Sequence, residues 1–321
     1  GFLPARMRFP LLAAATLFAG LLTMSSRSGA ENASAGPAAT ATSTWRDAPV
    51  ASRAQRLEIA SAATGRSYDV FVFVPTKPPP PDGYPVLYLL DGNASYALIA
   101  PVLELMDASS RPGSPAPGIV VGIGYPGDGP LDMVARAEDY TPPAADLSAT
   151  GDASGNGQGG ADRFLDFIEN ELKPRLAADF EIDPHRQTLF GHSYGGLFTL
   201  HTLFTRTGCF QRYVAASPSI WWNDEYILTE KRAWLAARPA GATAPEVVIS
   251  VGSEEQTPSA AQRRAQRADL LIARRMVDNA RDLAADLAAH GVPNEFFVFA
   301  QSDHGTARVP ALLQALRIAF H

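Results

Sequence analysis

The stretch Gln187-Thr188-Leu189-Phe190-Gly191-His192-Ser193-Tyr194-Gly195-Gly196-Leu197-Phe198 passes from an apolar segment, through a glycine-rich turn, into a helical pattern. Its first four residues read as the end of a buried strand, and Leu197 to Phe204 reads as a helix packed beneath a sheet. Between them, Gly191 to Gly195 fits G-x-S-x-G, the sharp strand-to-helix turn that presents a serine at the edge of a sheet. So tight a turn strains the serine backbone, and its neighbours two positions away must be small. Both are glycine. A serine that only caps a helix requires no such setting. Ser193 is therefore the candidate nucleophile.

Working outward, Pro85 to Leu90, Ile119 to Ile123, Thr188 to Phe190, Tyr213 to Ala216, Glu246 to Val251 and Glu295 to Phe299 read as short strands, most of them wholly apolar. Arg56 to Ile59 and Tyr68 to Val74 read as an antiparallel pair joined by a turn at Thr64-Gly65. Helical periodicity covers Ala161 to Ala177 and a long run from Arg263 to His290. Strand alternating with helix predicts an α/β fold, a mostly parallel central sheet with helices on both faces. The segment Pro126 to Gly160, rich in glycine, proline and small polar residues, predicts a loop-rich lid insertion.

Met7-Arg8 followed by the apolar run Phe9 to Met24 has the form of a secretory signal peptide, with cleavage expected after Ala30 or in Ala33-Ser34-Ala35. Residues 1–30 are thus expected to be a signal peptide (1–6 lying upstream of the true start), 31–44 a disordered tether and 45–321 one catalytic domain. The run falls short of the roughly 20 residues of a spanning helix, so no stable membrane insertion is expected once it is removed. A periplasmic or secreted bacterial protein is implied. Lysine is confined to Lys77, Lys173 and Lys231 beside abundant arginine and alanine, as in a GC-rich bacterial genome. Of 27 basic residues three lie before position 31, which leaves 24 against 33 acidic ones and argues against a nucleic-acid partner. The lone Cys209 allows no internal disulfide, and the six histidines show no metal-binding spacing, so neither metal nor organic cofactor is expected.

A serine hydroxyl needs an imidazole to take its proton. In an α/β-hydrolase fold the order is serine, acid, histidine, with the histidine in a loop after the last strand. His304, in Gln301-Ser302-Asp303-His304-Gly305, meets this. His201 belongs to the helix after the turn, His192 adjoins Ser193, and His185, His290 and His321 fall at surface or helix-end positions. Gly252-Ser253-Glu254-Glu255 follows the strand where the acid belongs; Glu255 is preferred, with Glu254, Asp303 or a Ser-His dyad as alternatives. Oxyanion donors are expected from the amide of Tyr194 and, in the loop Leu90-Asp91-Gly92-Asn93, from that of Asn93.

These blocks, together with Asp139-Tyr140-Thr141-Pro142, Gly159-Gly160-Ala161, Ser217-Pro218-Ser219-Ile220-Trp221-Trp222 and Asp303-His304-Gly305, resemble the esterase-D-like branch of α/β-hydrolases, and within it the trilactone siderophore esterases. The resemblance spans roughly residues 50–320. It implies a small-molecule ester substrate, such as a ferric or iron-free catecholate siderophore. The same scaffold serves general carboxylesterases, thioesterases and mycolyl-type acyl transfer, and a catalytically dead binding module is a further alternative. Trp221 and Trp222 are candidates to line an aromatic pocket, or else core packing. Arg136 is a candidate for an anionic ligand, or else a salt-bridge partner of Glu138 or Asp139.

Overall fold

The computed structural model describes residues 53–321 apart from 240; the expected signal peptide and tether lie outside the described residues. These residues form an eight-stranded sheet in the order β1-β2-β4-β3-β5-β6-β7-β8. Its strands are β1 (Gln55–Ala60), β2 (Ser67–Phe73), β3 (Tyr84–Leu89), β4 (Ile119–Gly124), β5 (Ile182–His192), β6 (Arg212–Ala216), β7 (Glu246–Gly252) and β8 (Asn294–Phe299). β1 and β2 pair antiparallel, as does β2 with β4, and every other pairing is parallel.

The apolar strands are buried on both faces because each splits its side chains between two cores. Val86 and Tyr88 of β3, Ile119 and Val121 of β4 and Val247 and Ile249 of β7 enter one core. Leu87 and Leu89, Val120 and Val248, one residue out of phase, enter the other. The second core is covered by α1 (Gly92–Ala108) and the last helix, Arg308–Phe320. The first is covered by α3 (Ala161–Phe167), α4 (Lys173–Asp179), α5 (Tyr194–Thr205) and α10 (Met276–Ala289), with α2 (Met133–Asp139) beside them. The remaining helices are α6 (Trp222–Glu225), α7 (Ile227–Ala237), α8 (Ala260–Arg264), α9 (Ala268–Arg274) and α11, the last helix just named. From β3 the chain moves outward to β4 and then returns across β3 to β5. The crevice at the carboxyl ends of β3 and β5 is thus the topological switch point, where ligands bind in such sheets.

One expectation is corrected and two are refined. The run from Arg263 to His290 is three helices, broken where Gln266 and Arg275 adopt left-handed backbone at φ 55° and 45°. Only α10 buries an apolar face; α9 has no buried residue and turns aside. Ala161 to Ala177 carries a π-helical turn at Ile168–Leu172, just ahead of Pro174, which has no N–H to continue the ladder. The insertion after β4 is not loop throughout: Asp132 caps α2 by accepting from the amides of Val134 and Ala135 at 3.1 and 2.9 Å. No helix among the described residues is long and apolar enough to cross a membrane.

His201 on α5 joins three helices. Its Nδ1 donates to Glu230 Oε2 at 2.8 Å on α7 and its Nε2 to Asp162 Oδ1 at 3.0 Å on α3, so both ring nitrogens carry protons. Burial opposes that charge, but the two carboxylates outweigh it and raise the imidazole to about 9. This stabilisation, on the order of 3 kcal/mol, is complete below the unfolded value of 6.5 and is lost as pH rises through 9. Thermal unfolding between pH 6 and 10 should show the parent losing more stability across that window than His201→Gln; parallel curves would refute the assignment.

Candidate active site

β5 ends at His192 and α5 begins at Tyr194, leaving Ser193 alone in the turn at φ 63°, ψ −119°, a conformation unfavourable for any side-chain-bearing residue. The turn is held by backbone bonds: Ser193 N–H donates to Ala216 O at 3.0 Å, and Ser193 O accepts from the amides of Leu197 and Ser219. A Cβ on Gly191 would lie 2.0 Å from Gly195 O, and one on Gly196 would lie 2.8 Å from Ala216 O. The required glycines are thus Gly191 and Gly196. Gly195, expected to be essential, has room, since its Cβ would meet Leu90 Cβ at 3.4 Å.

Ser193 Oγ lies 2.9 Å from His304 Nε2, and His304 Nδ1 lies 2.6 Å from Glu255 Oε2. A carboxylate can only accept, so Nδ1 holds the ring proton and Nε2 is free to accept from the serine hydroxyl. Glu255 is 1% exposed. Its other oxygen accepts from Ser217 Oγ at 2.5 Å and from Gly252 N–H at 2.7 Å, which fixes the carboxylate. Glu254 is exposed, and Asp303 turns away to accept from the amides of Gly305 and Thr306. Such an array can move a proton off a serine oxygen and return it to a leaving group.

Tyr194 opens α5, where first-turn amides have no intrahelical acceptor, and its hydroxyl donates to Asp152 Oδ2 at 2.7 Å. Asn93 is in the first turn of α1. Its side chain brackets the exit of β4, accepting from Tyr125 N–H at 2.8 Å and donating to Tyr125 O at 2.9 Å. It lines a cavity of about 360 Å³ with Tyr125 and Pro126, and neither cleft that Ser193 lines. Gly92 is needed for close packing on β4, since its Cβ would lie 2.5 Å from Gly122 C.

The two adjacent tryptophans part company. Trp221 walls both clefts at Ser193, of about 300 and 400 Å³. Trp222 is 0% exposed and donates from Nε1 to Gln158 Oε1 at 2.6 Å, so it packs in the core and anchors the insertion instead of lining a pocket. Arg136 borders the larger cleft, but its guanidinium is spent on Asp91, donating from Nε and Nη2 at 2.9 and 3.0 Å. It is thus paired neither with Glu138 nor with Asp139. Burial opposes its charge, yet Asp91 holds it above the usual arginine value.

Two contributors escaped sequence reading. His192 Nε2 donates to the His304 carbonyl at 2.7 Å, pinning the loop that carries His304. Burial first, then Arg308, His304 and Arg136, keep this imidazole well below its usual value and therefore neutral. Arg274 lies over Trp221 with its Cζ 3.9 Å from the ring centroid. The only available signal for His192 was its adjacency to Ser193; for Arg274 there was none.

A family model named Esterase, described as "Putative esterase", matches residues 61–317. The chain belongs to the Esterase family. This esterase is 35% identical over 269 residues to the ferri-bacillibactin esterase BesA of Bacillus subtilis, covering 82% of the chain and 88% of that relative. It is 38% identical over 242 residues to the siderophore triacetylfusarinine C esterase of Aspergillus fumigatus, covering 72% and 73%. The solved siderophore hydrolase EstA of Aspergillus nidulans superposes with a TM-score of 0.74 at 31% identity, covering 86% of this chain and 99% of that one. The α/β-hydrolase fold follows, and with it a serine hydrolase of carboxylic esters.

Gly191→Ala should cost about 3 kcal/mol or more, because backbone must move. Gly195→Ala should stay within about 1 kcal/mol of the parent. Urea unfolding midpoints check both; equal losses would contradict the packing described.

Proposed function

We propose that this esterase opens the ester backbone of a siderophore through an acyl-enzyme on Ser193. The observation that carries the reading is the hydrogen-bonded series Ser193, His304, Glu255 at the floor of a cleft. Ser193 Oγ attacks the ester carbonyl while His304 Nε2 takes its proton, and Glu255 holds the imidazole in the productive tautomer and stabilises the imidazolium. The alcohol leaves with the proton from Nε2, and water, deprotonated by the same nitrogen, releases the acid. The amides of Tyr194 and Asn93 are assigned to the oxyanion. In favour of Asn93, its loop abuts the turn, with Leu90 and Asp91 facing Gly195.

The siderophore substrate is supported by the names of the relatives, which include both bacterial and fungal siderophore esterases. Export is supported by the leader-like pattern of residues 7–30; amino-terminal sequencing of the exported protein should begin at Glu31 or, for cleavage at Ala33-Ser34-Ala35, at Gly36.

Ser193→Ala should lower kcat by about 10⁴-fold or more, and Glu255→Gln by about 10²–10⁴-fold. Specificity constants for ferric and iron-free trilactones, short p-nitrophenyl esters and acyl-CoA then test the substrate. Retained turnover in Ser193→Ala would sink the mechanism, and a preference for simple esters without trilactone cleavage would sink the siderophore assignment.

A further inference from the structure

The buried and half-buried arginines near the sheet end meet carboxylates. Arg136 and Arg308 share Asp91, and Arg66 meets Glu138 and Asp139. Arg274 is the exception. Among the described residues no carboxylate lies within ion-pair distance of it, and its Nε is buried without a hydrogen-bond partner. The two carboxylates of the clefts are already engaged: Glu255 with His304, Ser217 and Gly252, and Asp152 with Tyr194, Gln158 and Ser154. Burial lowers the Arg274 guanidinium from its usual value and outweighs the opposing influence of Tyr194 and of the Asp152 carboxylate, which lines the larger cleft beyond ion-pair distance, while the charge of Arg267 works with burial.

What holds Arg274 is the face of Trp221, 3.9 Å away. A cation–π contact of this kind takes up none of the guanidinium's N–H donors, whose fork geometry suits an oxyanion. Trp221 and Arg274 wall both clefts that contain Ser193, and Leu271 and Met276 add apolar surface to the smaller one. The smaller cleft, about 300 Å³, has room for one ring.

We propose that Arg274, held on Trp221, is a binding subsite for a planar aryl group bearing a negatively charged oxygen, next to the nucleophile. This rests on the ester-hydrolase reading and names a group its substrate carries. The ring is placed against Trp221 and the apolar wall, while its oxygens meet the guanidinium edge. Arg267, exposed on the same cleft, adds a longer-range positive field.

The test measures binding, not turnover, so its outcome is separable from that of the hydrolase reading. On Ser193→Ala protein at pH 7, calorimetric titration compares 2-hydroxybenzoate with its neutral isostere 2-hydroxybenzamide. The acid should bind at least tenfold more tightly. Adding Arg274→Gln should bring the two within about twofold while the amide still binds, which also reports an intact cleft; Arg274→Lys should restore only part of the preference. Arg267→Gln should change the ratio by less than threefold. Equal binding of acid and amide by Ser193→Ala, absence of binding by either, or a preference that survives Arg274→Gln would overturn the proposal. So would an Arg267→Gln loss as large as that of Arg274→Gln, since the effect would then belong to summed charge.

Discussion

The carboxylate of Asp91 ties together the segments that surround the end of β5. It accepts the fork of Arg136 from the insertion and lies 3.5 Å from Arg308 Nη2 at the start of α11, while its own N–H donates to Tyr140 Oη. Removing one partner of such a buried pair leaves a charge uncompensated, typically at 3–5 kcal/mol, whereas apolar replacement of the whole cluster is often neutral. The cluster is therefore better understood as fixing position than as supplying net stability. Arg136 Nη2 also reaches His192 O at 3.5 Å, and His192 in turn holds the His304 carbonyl. One set of directional bonds thus joins β3, the insertion, β5 and the loop bearing the imidazole.

That framework allows a strained residue to persist. Ser193 is held off the favourable backbone regions at a cost of order 1–3 kcal/mol. The surrounding backbone bonds and the contacts at Gly191 and Gly196 over-determine its conformation. The strain aims Oγ out of the sheet toward His304, while Glu255, fixed from a neighbouring strand end, limits the imidazole to one orientation. Precision at the reacting oxygen is thus supplied by largely buried groups whose hydrogen bonds are made within the protein.

The parts legible in the sequence are those governed by local rules. Apolar runs in β3 to β7 follow from a sheet covered on both faces, and the turn at Ser193 is marked by its glycines, of which Gly191 and Gly196 are the ones that packing requires. Chain order points to His304 and to the pair Glu254-Glu255, but not to which glutamate turns inward. What escaped depends on one backbone dihedral or one long-range partner. A left-handed Arg275 splits an otherwise continuous helical pattern, and no periodicity records it. Arg136 has two acids close in sequence yet pairs with Asp91, 45 residues away, because that carboxylate lies beside its fork while Asp139, also buried, faces Tyr68 and Tyr125. The tryptophans look equivalent in sequence, but one enters the cleft and the other the core.

The same left-handed Arg275 bears on how a chain with net charge −6 can favour an anion. Charges spread over the surface are screened within about 8–10 Å of salt solution, so they weigh little at the cleft against a guanidinium at contact distance. Turning α9 away from α10 puts Arg274 against Trp221, beyond the reach of the acids that pair the other arginines. Local geometry therefore sets a guanidinium without an ion-pair partner in the clefts that Ser193 lines. Trp222, one residue further on, binds Gln158 of the insertion, so the segment that positions the aromatic wall also fixes the loop opposite it. Because Trp221 and Trp222 are consecutive, the bond from Trp222 to Gln158 ties the insertion to the turn that carries the cleft's aromatic wall.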